Sequence, residues 1–154
     1  MPGSSKTGED STSKRTYVVD ASVVARWFIK GEEWEDNALK RLDDYKTGRV
    51  ELFSVSLLFY EVANSLWKAV KRKYISKDDA IMAIEQLPIL APHTINFSEE
   101  DWKEVLKVAL RLRVTTYDSS YLVASMKKNA PLITADQDLV KKVEGFDILE
   151  LKDY

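Results

Sequence analysis

The chain predicts an α/β domain with a largely parallel sheet and helices on both faces. Short apolar runs of strand length alternate with longer segments of helical periodicity from one end to the other, the order that βαβ units produce. The composition, 45% hydrophobic and 31% charged, is that of an ordinary soluble domain. A chain of 154 residues also buries a core large enough to stand without disulfides or structural metals.

The opening MPGSSKTGEDSTSKR is rich in Ser, Thr, Gly and charge, so residues 1–15 are expected to form a disordered tail and 16–154 the domain. TYVVDAS reads as a buried strand ending in an acid, and VVARWFI as helical. EEWEDNALKRLDDYKTG follows as a helix with Trp34, Ala38, Leu39, Leu42 and Tyr45 on one face, and Gly48 suits its stop. VELFSV is the next strand. LLFYEVANSLWKAVKRKY is a long helix striped by Leu58, Val62, Leu66, Ala69 and Val70. Tyr60 and Trp67 lie at the margin of that stripe and are expected at the core edge, a partner surface being the competing reading. SKDDAIMAIEQL and SEEDWKEVLKVALRL each place Asp three residues after an opening Ser, a capping-box pattern at Ser76 and Asp79 and at Ser98 and Asp101. Between them HTINFS is a strand. A helix opened by Asp118, the strand PLITAD, the short helix QDLVKKVEG and the strand FDILEL complete the domain.

Composition narrows the chemistry. The chain has no cysteine, which excludes disulfides, thiolate zinc sites and cysteine nucleophiles, and is compatible with a reducing cytosol. Its single histidine, His93, cannot form a histidine metal cluster, and a Ser-His-Asp triad would rest on it alone, so it reads as a local structural residue. The net charge of −2 gives no global basic field, so any nucleic-acid contact is local. No run approaches the roughly 18 apolar residues of a membrane span, and no signal peptide is visible.

The acids are placed at element ends. Asp20 ends the first strand and Asp136 the strand of PLITAD, both at the carboxyl edge where open parallel sheets bind ligands. Glu61 lies about a turn into the helix after VELFSV, and Asp118 begins its helix on the face of Tyr121, Leu122 and Ser125. Each has a structural alternative. Asp20, Asp118 and Asp136 can cap helices, and Glu61 can be a solvated acid beside Asn64 and Lys68. Four carboxylates that met at about 5 Å would repel by about 3 kcal/mol per pair at an effective dielectric near 20. Such a cluster protonates a member or binds a cation. With only oxygen donors, that cation is a hard one, Mg²⁺ or Mn²⁺, suited to phosphodiester hydrolysis.

VVDASVVARWF, YEVANSLWKAV, YDSSYLVAS and LITADQDL together resemble the PIN-domain nucleases, most closely the VapC-type toxins of prokaryotic toxin–antitoxin pairs. The likeness spans Thr16 to Leu151, with all four motifs in order on the expected elements. It implies a PIN-like three-layer fold and an acidic pocket for Mg²⁺ or Mn²⁺. It also implies ribonuclease activity directed at single strands, usually endonucleolytic. By the resemblance Asp20, Glu61, Asp118 and Asp136 are catalytic and metal-binding, with Ser22, Asn64 and Thr134 in support. TADQDL also offers Asp138; Asp136 is preferred because it ends the strand, and Asp138 is a helix acid or an outer member of the site. Ser119 and Ser120 stand where the family often has small apolar residues.

The same resemblance implies an RNA substrate, a cognate antitoxin, a homodimer and a cytoplasmic location. Lys68 shares the face of Glu61 and is a candidate phosphate contact, or a solvated cation favoured by the helix dipole. Lys127, Lys128, Lys141 and Lys142 read as ordinary surface charges. A catalytically silent PIN-like binding module is the alternative. Phosphatase-like and receiver-like α/β domains fit less well, since they need further acids close to the first, and position 22 is Ser.

Overall fold

The computed structural model describes residues 14–154. The tail expected over residues 1–15 therefore lies, up to residue 13, outside the described residues. The first strand, β1 (Arg15–Val19), begins one residue before the expected start at Thr16. It is followed by α1 (Ala21–Ala25), α2 (Glu35–Lys46), β2 (Val50–Ser54), α3 (Leu57–Lys71), α4 (Lys77–Leu90), β3 (His93–Thr94) and α5 (Glu99–Leu112). Then come α6 (Thr116–Lys128), β4 (Leu132–Thr134), α7 (Gln137–Lys142), β5 (Ile148–Glu150) and a 3₁₀ turn (Leu151–Asp153).

The five strands form one parallel sheet in the order β3-β2-β1-β4-β5. Period-two alternation sorts its side chains: Tyr17, Val19, Leu52 and Ile133 face one core, Val18 and Leu132 the other. The first core is closed by α1 to α4, the second by α5 to α7. Burial on both faces is why the strands read as continuous apolar runs and why the sheet is parallel. The expected architecture of helices on both faces is the observed one.

Local departures have local causes. HTINFS contributes only two paired residues, with one further backbone bond from Ile95 to the Ser54 carbonyl. VVARWFI is helical only to Ala25, after which turns carry Trp27 into the core, its indole N–H donating to the Ala38 carbonyl at 3.0 Å. Trp34 is not inside α2 but precedes it in the left-handed region (φ 62), still packed on the core. Ser98 and Asp101 form a full capping box, whereas Ser76 only accepts from the Asp79 N–H. Gly48 ends α2 as expected, at φ 79, a conformation that strains other residues. His93 sits on β3 with its Nε2 2.9 Å from Glu51, the structural role expected of it.

Tyr60 and Trp67 correct the expectation of a core edge. They are 78% and 58% exposed, because Leu58, Val62, Leu66 and Ala69 already fill the buried stripe of α3 and the helical phase turns both rings away.

Candidate active site

β1 and β4 are neighbours, so their carboxyl ends bring Asp20 and Asp136 to one stretch of the sheet edge. Asp20 caps α1, its Oδ1 accepting from the Ser22 N–H at 3.0 Å and the Ser22 hydroxyl at 2.5 Å. Its Oδ2 accepts from the Thr134 hydroxyl at 2.5 Å. Ser22 Oγ in turn accepts from the Ala135 N–H and Thr134 Oγ1 from the Asp136 N–H, at 2.9 and 3.0 Å. Two hydroxyls thus stitch the strand ends together and aim both their protons at one carboxylate. Asp20 is only 6% exposed, and burial raises its carboxyl to about 6 despite those donors, with Asp136 adding to the rise.

Asp136 caps α7 by accepting from the Leu139 N–H at 3.1 Å. Glu61, one turn into α3, is half-buried and accepts from the Tyr121 hydroxyl of α6 at 2.5 Å. Burial raises the Glu61 carboxyl and nearby Asp118 raises it further, against the Tyr121 hydrogen bond. Asp118 does not cap α6: Thr115 does, accepting from the Asp118 N–H at 3.0 Å. That leaves the Asp118 carboxylate for the sheet edge, where burial and then Asp136 raise its pKa, partly offset by Thr115 and Lys142. Lys127 pairs with Asp101 at 2.8 Å, and Lys128 lies over the Phe53 ring.

All four acids line one open cavity of about 540 Å³. Ser22, Asn64 and Lys68 line it too, with Tyr60, Tyr117 and Tyr121. Thr134 is fully buried behind Asp20 and acts on the cavity through that carboxylate and through the Asp136 N–H. Asp138 is exposed in the first turn of α7 and does not line the cavity. Ser119 and Ser120 are buried, with their hydroxyls satisfied by the carbonyls of Val105 and Tyr117. Sequence reasoning missed Tyr121 as a member of the site. It stands three residues after Asp118 on the same helical face, but a tyrosine on an apolar face reads as core, which it also is.

The donor set bears on what could bind. It is all oxygen, and burial raises the carboxyls of Asp20, Glu61 and Asp118, with a smaller contribution to each from another acid. Among the described residues no three acids form a ready-made ligand cluster. A hard divalent ion that keeps several waters and takes one or two carboxylates directly fits such a spread better than one needing an all-protein cage.

The model of the PIN domain family matches residues 17–145. The chain belongs to the PIN-domain family. All four acids of this PIN domain fall inside the matched stretch. It is 32% identical to the ribonuclease VapC3 of Pyrobaculum aerophilum, over 81% of this chain and 92% of the relative. To the exonuclease VapC9 of the same organism it is 26% identical, over 84% and 86%. Its fold matches a chain in the structure of VapBC2 from Rickettsia felis bound to a DNA fragment from their promoter. That match has a TM-score of 0.62, covers 88% of this chain and 98% of the other, and at 14% identity is a likeness of fold. Among the described residues no helix is long and apolar enough to cross a membrane.

Proposed function

We propose that this PIN domain is a metal-dependent ribonuclease that cuts single-stranded regions of RNA endonucleolytically, as the toxin of a VapBC-type toxin–antitoxin pair. The observation that carries this reading is the convergence of four carboxylates, from four separate segments, on one open cavity at the carboxyl edge of the sheet. Kinship with a curated VapC ribonuclease along most of both chains supports it.

Asp20 and Asp118 would hold the principal Mg²⁺ or Mn²⁺, with Glu61 and Asp136 completing the pocket or holding a second ion. When bound, the ion supplies an activated water and positive charge against that of the phosphate. Ser22 and Thr134 fix the direction of the Asp20 carboxylate, and Tyr121 fixes that of Glu61. Lys68 and Asn64, on the cavity wall, would meet the RNA backbone, Lys68 as a local cation on a chain whose net charge is −2. Hydrolysis forms a bond from water oxygen to phosphorus as the bond to the leaving ribose oxygen breaks, the acids taking up the water's proton and solvent water giving one to the leaving oxygen.

Tyr60 and Trp67, exposed on the helix that bears Glu61, offer apolar surface for an antitoxin to cover. A homodimer and a cytoplasmic location belong to the same reading. A monomeric mass at micromolar concentration would count against the dimer.

The test is cleavage of an end-labelled single-stranded RNA, with Mg²⁺ or Mn²⁺ against EDTA, by the wild type and by Asp118→Asn. Discrete internal cuts that need the metal and vanish in the variant are expected. A ladder shortening from one end would replace the endonuclease with an exonuclease. No cutting under any condition would leave the silent binding module as the better account.

A further inference from the structure

A second cavity, of about 210 Å³, opens beside the acidic one and shares two of its walls, Leu57 and Tyr117. Its remaining apolar wall comes from the end of β2, the segment after β3 and Trp102 of α5. Phe97 and Trp102 meet edge to face there, with ring centroids 5.3 Å apart. Trp102 and Tyr117 are each 58% exposed. Polar groups interrupt the apolar lining. Ser120 is buried, and because its hydroxyl donates to the Tyr117 carbonyl at 2.6 Å, its lone pairs are left to accept. Asn96, on the lining and exposed, carries an amide with both donor and acceptor.

We infer that this second cavity is a nucleobase subsite, taking one unpaired base from a nucleotide adjacent to the phosphate held at the acids. The inference rests on the ribonuclease reading and adds to it where base preference is set. The volume is below the roughly 300–1,000 Å³ of pockets for drug-sized ligands, which suits a single ring system. Aromatic side chains that stack, beside an amide that reads an edge, are the means by which proteins hold unpaired RNA bases. Walls shared with the acidic cavity put the base beside the phosphate held at the acids. An aliphatic side chain from a second copy of the chain would use the apolar lining but leave the Asn96 amide and the Ser120 lone pairs idle.

Asn96→Ala and Trp102→Ala change exposed side chains and leave all four acids in place. Three quantities are measured for the wild type and both variants. They are affinity for a short single-stranded RNA held in EDTA, cutting preference on a randomised RNA pool with Mg²⁺ or Mn²⁺, and solution mass. Trp102→Ala should bind the RNA about tenfold more weakly, within the range of one lost base stack. Asn96→Ala should still cut but lose its preference at one nucleotide beside the cleaved bond. Wild-type affinity and preference in both variants would overturn the subsite while leaving the nuclease standing. So would a Trp102→Ala protein changed only in mass, which would assign the cavity to a second copy. A wild type that neither binds nor cuts RNA would remove the ribonuclease reading and the subsite with it.

Discussion

Asp20→Asn should make the metal-free protein more stable at neutral pH, and by an amount that grows as pH rises. The buried Asp20 carboxyl has its pKa raised from 3.8 to about 6, chiefly by loss of water around the charge. The native chain therefore keeps this proton through a window, from about 4 to about 6, in which the unfolded chain has already released it. Stability from this group is complete below that window and is lost as pH rises through it. A shift of about 2 units corresponds to about 3 kcal/mol in all, of which about half is lost between about pH 5 and pH 8. Asn cannot ionise, and its amide oxygen can accept the same bonds from Ser22, while the bond from the Thr134 hydroxyl is lost, a cost that does not vary with pH. Urea unfolding of both proteins in EDTA across this range measures the effect. Other titrating acids, including raised Glu61 and Asp118 and lowered Asp101, contribute to both curves. The difference between wild type and variant isolates Asp20. A gap that stays constant or narrows with rising pH would refute the argument that burial dominates the hydrogen bonds here. Added Mg²⁺ should close the gap from the wild-type side, since an ion that binds only the native state stabilises it by mass action.

Three further outcomes are expected. Tyr121→Phe removes the donor to Glu61, so the Glu61 pKa should rise further and the acid limb of the cleavage pH profile should move to higher pH; an unmoved limb would mean Glu61 does not titrate in the reaction. Lys68→Ala should weaken RNA binding and reduce the slope of log affinity against log salt by about 0.7, the share of one phosphate on a single strand, whereas an unaltered slope places Lys68 in solvent alone. Tyr154→Ala should cost about 2 kcal/mol in chemical denaturation without affecting cleavage, because its ring lies 4.3 Å from the guanidinium of buried Arg41 and meets Tyr17 edge to face.

Much of the fold was legible because burial leaves a periodic trace. Strands buried on both faces show as unbroken apolar runs, and α3 shows its stripe at helical spacing. The termini of elements were less legible. Nothing in HTINFS says that only two residues will pair, because pairing depends on how far β2 runs alongside. Nor does the local pattern say that Thr115, rather than Asp118, caps α6, since either residue type could do so.

The sequence by itself offered the four acids as candidates, through element boundaries that periodicity reveals and the family motifs that group them. The absence of cysteine and the single histidine likewise leave those candidates with oxygen donors alone. Only the tertiary structure decided how those acids are held. Asp20 receives its two hydroxyl donors from positions 22 and 134, and Glu61 meets Tyr121 across sixty positions of chain. The tertiary structure also separated Asp136 from Asp138, placing the first on the cavity wall and the second in solvent. It turned Tyr60 and Trp67 outward as well. Periodicity encodes which face of an element is buried, because burial acts on every turn or alternate residue. Contacts between elements depend on sheet order and helix packing, which no local window contains.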